Sequence, residues 1–422
     1  MQSVRESFEP RERLGAVRRL LRLSACGALL AVLLVPAAPG GSSPLARQLA
    51  AALRSTKLSS AETGAVVYDL QTGQVVFALH AYRPLHPASN EKLATTYAAL
   101  TALGPSFRIE TDVLGVGKQD GTRWQGDIVL KGYGDPTLSA ADLRSLAQQV
   151  ARDGITRVNG RVIGDESWFD ARRVGVGWKR AFYFHESPAL SALIVDRGWN
   201  GRQEMQPALY AAQLFRRELV DAGVSVRGPA ETGVATARAT ALGYVESPTL
   251  ASLVRFMDME SDNFTAEMLL KQVGAVQRGA GTAGAGATET RSLLAAAGVP
   301  LSGSRMIDGS GLSLLDRWTA AGLANVLRRM WLDPDMRPYI TSSLPVAGVS
   351  GTLTWRMRNG PAAGFVRAKT GTTDKSSALS GFVGDRYVFS VIENGNPIKF
   401  TAAVRTQNSF AEVLARAAKR GS

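Results

Sequence analysis

Three short polar motifs, each occurring once, place the strongest demand on how this chain folds. Ser89-Asn90-Glu91-Lys92, Ser261-Asp262-Asn263 and Lys369-Thr370-Gly371 lie far apart, with 168 residues between Lys92 and Ser261 alone. If they act together, the fold must gather three distant segments and lead the intervening chain out and back. Each has a bland reading by itself: a helix N-cap serine with an exposed lysine, a polar helix break, a strand end before a turn. Ser-x-x-Lys arises by chance about once in a chain of this size, so only the conjunction carries weight.

Composition narrows the chemistry. The 422 residues suggest two or three domains, and 45% hydrophobic against 20% charged excludes a disordered chain. One cysteine and three histidines (His80, His86, His185) rule out a disulfide framework and leave little for a metal centre or a Ser–His–Asp triad, so no metal is expected. The net charge of +13 invites a nucleic-acid reading. Its Lys and Arg are scattered, however, with no basic run interleaved with aromatics, so no nucleic-acid partner is expected. A dispersed basic surface suits an anionic cell envelope.

The N-terminus reads as an export signal. Arg5, Arg11, Arg13, Arg18, Arg19 and Arg22 precede an apolar stretch over 23–35 and then Pro36-Ala37-Ala38-Pro39-Gly40-Gly41. This is a basic region, a short apolar run and a small-residue cleavage zone, with cleavage expected after Ala37 and segment 1–41 set apart. The apolar run is short for a membrane span, which takes about 20 residues; an uncleaved anchor is the other reading. Cys26 would leave with the signal, and the mature protein would reside in the periplasm or extracytoplasmic envelope.

Periodicity predicts a hairpin over 65–70 and 75–79 about Gln71-Thr72-Gly73-Gln74, then a buried helix from 87 to about 103. Strands follow at 109–116, 126–130 and 156–162 around a helix at 140–152, with another helix at 208–222. Residues 250–276 read as helical but broken at Ser261-Asp262-Asn263. The Gly/Ala stretch 279–287 predicts a loop before a helix at 289–297, because the dinucleotide-type spacing there lacks a preceding strand. Late strands at 365–368, 380–383 and 387–394 precede a basic helix at 408–419.

Hydrolysis or acyl transfer without histidine needs another base. Residues i and i+3 share a helix face, so Lys92 can reach the Ser89 hydroxyl, and the helix N-terminus favours a developing oxyanion. A lysine serves as base only if burial and cationic neighbours bring its pKa down from about 10.4. Ser261 offers a second hydroxyl and Asn263 an amide for a substrate carbonyl. Lys369 supplies positive charge on a predicted strand, where Gly371 would let a substrate backbone lie close.

In this order the motifs resemble those of the penicillin-recognising serine acyl-enzymes. The stretches 87–96, 132–138, 260–263, 308–313, 343–353 and 367–383 are similar to the D-alanyl-D-alanine carboxypeptidase/endopeptidases, the DacB-like class C penicillin-binding proteins. They include Gly-Tyr-Gly-Asp-Pro-Thr-Leu, Asp-Gly-Ser-Gly-Leu-Ser and Ser-Leu-Pro-Val-Ala-Gly. The resemblance implies an α+β fold with an antiparallel sheet between helical layers, interrupted by an inserted α/β region. The expected division is a peptidase domain over 42–105 and 237–422 and an insertion over 106–236.

It further implies Ser89 as nucleophile, Lys92 as base, Ser261 as proton relay and Asn263 as substrate grip. Lys369, with Thr370 and Thr372, would receive the terminal carboxylate, Gly371 would line the strand, and Asp135 would bind the stem-peptide side chain. The N–H groups of Ser89 and Thr372 would form an oxyanion hole. Implied partners are peptidoglycan stem peptides, β-lactams as inhibitors, and a peripheral membrane or wall surface; the resemblance implies that no organic cofactor is needed. One departure stands out: Leu314 occupies a place where related enzymes carry an arginine. A β-lactamase or esterase on the same fold and a silent wall-binding protein are the alternative readings.

Overall fold

The computed structural model describes residues 43–54, 62–199 and 201–420. The expected signal segment and Cys26 lie outside the described residues. Helix α1 (Pro44–Arg54) leads into a hairpin of β1 (Thr63–Asp69) and β2 (Val75–Leu79), close to the predicted one. Helix α2 (Lys92–Leu103) is buried almost all round, as its Ala/Leu/Thr composition requires.

The chain then leaves for a second sheet, beginning with β3 (Glu110–Asp120) and β4 (Arg123–Gly132). Helix α3 (Ala140–Arg152) starts at a reciprocal cap between Ser139 and Asp142. The strand expected at 156–162 is two short ones, β5 (Arg157–Val158) and β6 (Val162–Asp165), which pair with β4 at different places. After a long connection come α4 (Pro207–Asp221), β7 (Ser225–Val226), β8 (Ala230–Thr232) and β9 (Thr240–Glu246). The sheet order is β7-β5-β4-β3-β9, with β6 joining β4 to β8. Its core sets Val113, Ile128 and Leu130 against Leu146, Val150 and Phe215 from α3 and α4. Strand β9 is antiparallel to β3, from Glu110↔Glu246 onward. The expected boundary at 236 therefore falls too early: the second sheet claims the chain to Glu246. Alternation in β9 is weak because much of the strand is exposed, which hid it from periodicity.

The chain returns through α5 (Leu250–Glu260), α6 (Asn263–Arg278), α7 (Ala283–Ala296), α8 (Ala320–Leu332) and α9 (Arg337–Ser343). Most of the Gly/Ala stretch expected as loop is the first half of α7. A Cβ on Gly286 would lie 2.0 Å from Leu270 O, so the small residues serve close packing of α7 on α6. Finally β10 (Val366–Thr372), β11 (Ser376–Val383), β12 (Tyr387–Asn394) and α10 (Phe400–Arg420) complete the fold.

The first sheet is antiparallel throughout, in the order β10-β11-β12-β1-β2. Strands β1, β11 and β12 are buried along nearly their whole length, so both faces must be covered. On one face Val67, Leu379 and Phe389 meet Leu49 of α1 and Phe410 and Leu414 of α10. On the other, Val66, Phe382 and Ile392 meet Leu93 of α2 and Leu323 and Leu327 of α8. This is the expected antiparallel sheet between helical layers, with β10 as its edge.

Candidate active site

Ser89 stands on a sharply bent approach to α2. Residues Ala88–Glu91 form one 3-10 turn, and Ala88 has φ +47°, a left-handed conformation costing a non-glycine residue on the order of 1 kcal/mol. Asn90 Nδ2 donates to Lys369 O at 3.2 Å, and Ser376 Oγ donates to the His86 carbonyl at 2.5 Å, tying the turn to β10 and β11. The Lys92 side chain folds back over it. Its Nζ donates to Ser89 Oγ at 2.9 Å, Asn263 Oδ1 at 2.7 Å and Ser310 O at 2.7 Å.

Lys92 is wholly buried, and that burial pushes its pKa down to about 8, against the opposing pull of Asp308, Asp262 and Glu267. Two of these acids shape the floor. Glu267 accepts from the Gly309 and Ser310 N–H groups, and Asp308 accepts from those of Gly311 and Ser313. The segment that offers the Ser310 carbonyl to Lys92 is thereby fixed.

Ser261-Asp262-Asn263 breaks the long helical stretch for local reasons. Ser261 closes α5 in a left-handed conformation, φ +60°, while Asp262 caps α6 by accepting from Thr265 N at 2.8 Å. The other Asp262 oxygen pairs with Arg197 at 2.6 Å. The break turns the Ser261 hydroxyl toward Lys369, whose Nζ donates to it at 2.8 Å and to Thr370 O at 3.0 Å.

Lys369 is also wholly buried; burial, then Lys92, push its pKa down to about 7, and Asp258 works the other way. Its ammonium meets the cleft through the hydroxyl of Ser261, which lines the wall.

Strand β10 offers its outer edge to the cleft. Ala347 N donates to Val366 O and Ala368 N to Pro345 O on that side, so the two-residue period also turns Thr370 and Thr372 N–H outward. A Cβ on Gly371 would lie 2.8 Å from Pro87 O and 3.0 Å from Ser89 N. Gly371 therefore lets β10 abut the Ser89 turn, instead of making room for a substrate backbone.

A cleft of about 520 Å³ opens here, with Ser89, Ser261, Asn263, Thr370 and Thr372 on its wall. Sequence reading missed Glu186, Thr352, Arg356 and Phe400, which line it too. Asn263 Nδ2 donates to Glu186 O at 3.0 Å and to its carboxylate at 3.3 Å. Glu186 comes from the long connection 166–199, where no motif marks it. That connection packs Phe169, Leu190 and Ile194 on Phe264 and Met268 of α6. It is pinned beside the cleft by Trp178 Nε1 donating to Asp308 at 2.7 Å, by Arg197 and by a Lys179–Asp374 pair.

Asp135 is placed elsewhere. It is buried, absent from the cleft wall, and accepts from Thr137 N at 2.7 Å and Thr137 Oγ1 at 2.6 Å, bracing its own loop. Burial pushes its pKa up to about 6.

The sequence profile of the D-Ala-D-Ala carboxypeptidase 3 (S13) family matches residues 45–206 and 200–417. The chain belongs to this family. Among its S13 relatives, a D-alanyl-D-alanine carboxypeptidase from an Actinomadura species is 31% identical, the match covering 94% of this chain and 90% of that one. Carboxypeptidase DacB of Mycolicibacterium smegmatis is 32% identical over 85% of this chain and 83% of the relative. The fold matches penicillin binding protein 4 (dacB) from Haemophilus influenzae with a TM-score of 0.78 at 21% identity, covering 84% of this chain and 96% of that one. This S13 chain is a serine-type D-Ala-D-Ala carboxypeptidase. Among the described residues, no helix is long and apolar enough to cross a membrane.

Proposed function

We propose that Ser89 is the residue acylated during cleavage of peptidoglycan stem peptides, with Lys92 as its base. The observation that carries this reading is the 2.9 Å contact between the buried Lys92 ammonium and Ser89 Oγ. Lys92, once neutral, takes the hydroxyl proton as Oγ attacks the carbonyl of the penultimate D-alanine. The oxyanion forms beside the N–H groups of Ser89 and Thr372, and the peptide lies along the open half of β10, adding a strand to its edge. Ser261, held by Lys369, passes a proton to the departing amine, and Asn263 leaves Glu186 to grip the peptide. Water then hydrolyses the ester on Ser89. Crosslink cleavage follows the same steps with a longer leaving group.

β-Lactams would acylate the same hydroxyl. Export across the cytoplasmic membrane, into the periplasm or outer envelope, fits both this substrate and the N-terminal segment.

Incubation with a peptide ending in D-Ala-D-Ala tests the reading. Release of free D-alanine by the natural chain, lowered at least about 10³-fold in Ser89→Ala, is the expected outcome. Undiminished release by the variant would overturn it. Fast turnover of penicillin without peptide cleavage would favour a β-lactamase.

A further inference from the structure

Two of the three oxygens around Lys92 Nζ are steadied by the long connection 166–199. Asn263, which offers Oδ1 to Lys92, gives its Nδ2 to Glu186 of that connection. Ser310, which offers its carbonyl, belongs to the loop 308–313, and Asp308 organises that loop from a place with no exposed surface. Asp308 Oδ1 accepts from Gly311 N at 2.7 Å, and Oδ2 accepts from Ser313 N at 2.7 Å and Ser310 Oγ at 3.4 Å. A further donor to Oδ2 is Trp178 Nε1 at 2.7 Å, again from the connection. The fit there is close. Trp178 is buried and absent from the cleft wall, and Gly177 O accepts from Leu314 N at 3.2 Å. A Cβ on Gly175 would lie 2.2 Å from the indole, and one on Gly177 2.6 Å from Ser313 Oγ. Gly175-Val176-Gly177-Trp178 is thus shaped to bring an indole N–H against this one carboxylate.

The charge on Asp308 matters because of its company. Glu91 of the Ser89 turn, Glu267 of α6, Asp316 and His86 also face it. Among the described residues Asp308 receives the most donors of these acids, which concentrates negative charge there. It acts on Lys92 together with Asp258, Asp262 and Glu267, while Lys369 of β10 opposes them. We propose that Trp178 is a positioning residue for Lys92: its N–H neutralises part of the Asp308 charge and fixes the loop that offers the Ser310 carbonyl. The inference rests on the reading of Lys92 as base. Without that N–H, more of the Asp308 charge reaches Lys92 and holds the ammonium form. The excursion between α2 and α5 is then a working part of the site, although Trp178 touches no reacting atom.

Acylation by penicillin, read by intact mass at short times from about pH 5.5 to about pH 9.5, tests this. In Trp178→Phe, which keeps a ring in place, the rising limb should move up by about half a unit to one unit. Acylation then slows by roughly threefold to tenfold below the limb, and by less toward its top. Arg173→Ala loosens the connection at its Glu166 pair without touching Asp308, and should leave the limb where it is. Should Trp178→Phe not fold, Gly177→Ala, whose new Cβ would push on Ser313 Oγ, should loosen the same contact and move the limb the same way. An equal loss at every pH, or a limb that stays in place, would mean that the indole only packs, and would overturn the inference. So would the same displacement in Arg173→Ala. A natural chain with no rising limb would instead sink the reading of Lys92 as base, and this inference with it.

Discussion

Lys92 sits where an ammonium is hard to keep charged, with no exposed surface and three oxygen acceptors around Nζ. With its pKa pushed down to about 8, a modest fraction is neutral at pH 7, and that fraction would serve as the proposed base. The sign follows directly. Protonation below about 8 removes the base, so kcat/KM should climb as pH rises toward that value, and loss of the Lys369 charge, whose pKa is pushed down to about 7, should bend the profile into a bell rather than a plateau. A profile flat between about pH 6 and pH 9 would contradict this role. The pairing of Ser89 with Lys92 was legible in the sequence, because i and i+3 spacing is set by the backbone alone. Glu186 and Arg356 were not, since what places them is tertiary: a connection resting on α6 and a turn held by α10. Asp135 is of the residue type and in the loop that the resemblance marks, but it does not line the cleft, and its Oδ1 braces Thr137.

At the scale of elements, the site is a seam between an edge strand and a helix turn. Gly371 sets its width, since any Cβ there would press on Pro87 O and Ser89 N well inside contact distance. Gly371→Ala should cost about 1–3 kcal/mol in denaturant unfolding, and it should slow acylation more than tenfold by moving β10 off the turn. Full-rate acylation by the variant would show that the seam tolerates the shift. The buried strands of the first sheet were readable because runs such as 387–394 leave no polar face. The edges of elements were harder. Strand β9 lies half in solvent, and α7 begins among glycines chosen for helix contact rather than helix propensity.

Across the whole molecule, the region between α2 and α5 does more than hang from the peptidase sheet. Its long connection reaches back over α6 and is held beside the cleft at Asp262, Asp308 and Asp374. The Arg197–Asp262 pair is partly exposed, so it should add only about 0–1 kcal/mol to global stability. Its effect should be local. In Arg197→Ala, amide exchange should quicken over 177–199 and leave β11 and β12 unchanged, whereas uniform protection would show the contact to be incidental. Distant motifs foretold that the chain must leave and return, but they held no record of where the excursion would rest. The account turns on one covalent bond, which the intact mass of the protein with and without penicillin reads directly. It predicts one persistent adduct on the natural chain and none on Ser89→Ala. An adduct that survives in the variant, or a natural chain that leaves the drug intact and stays unmodified, would contradict it.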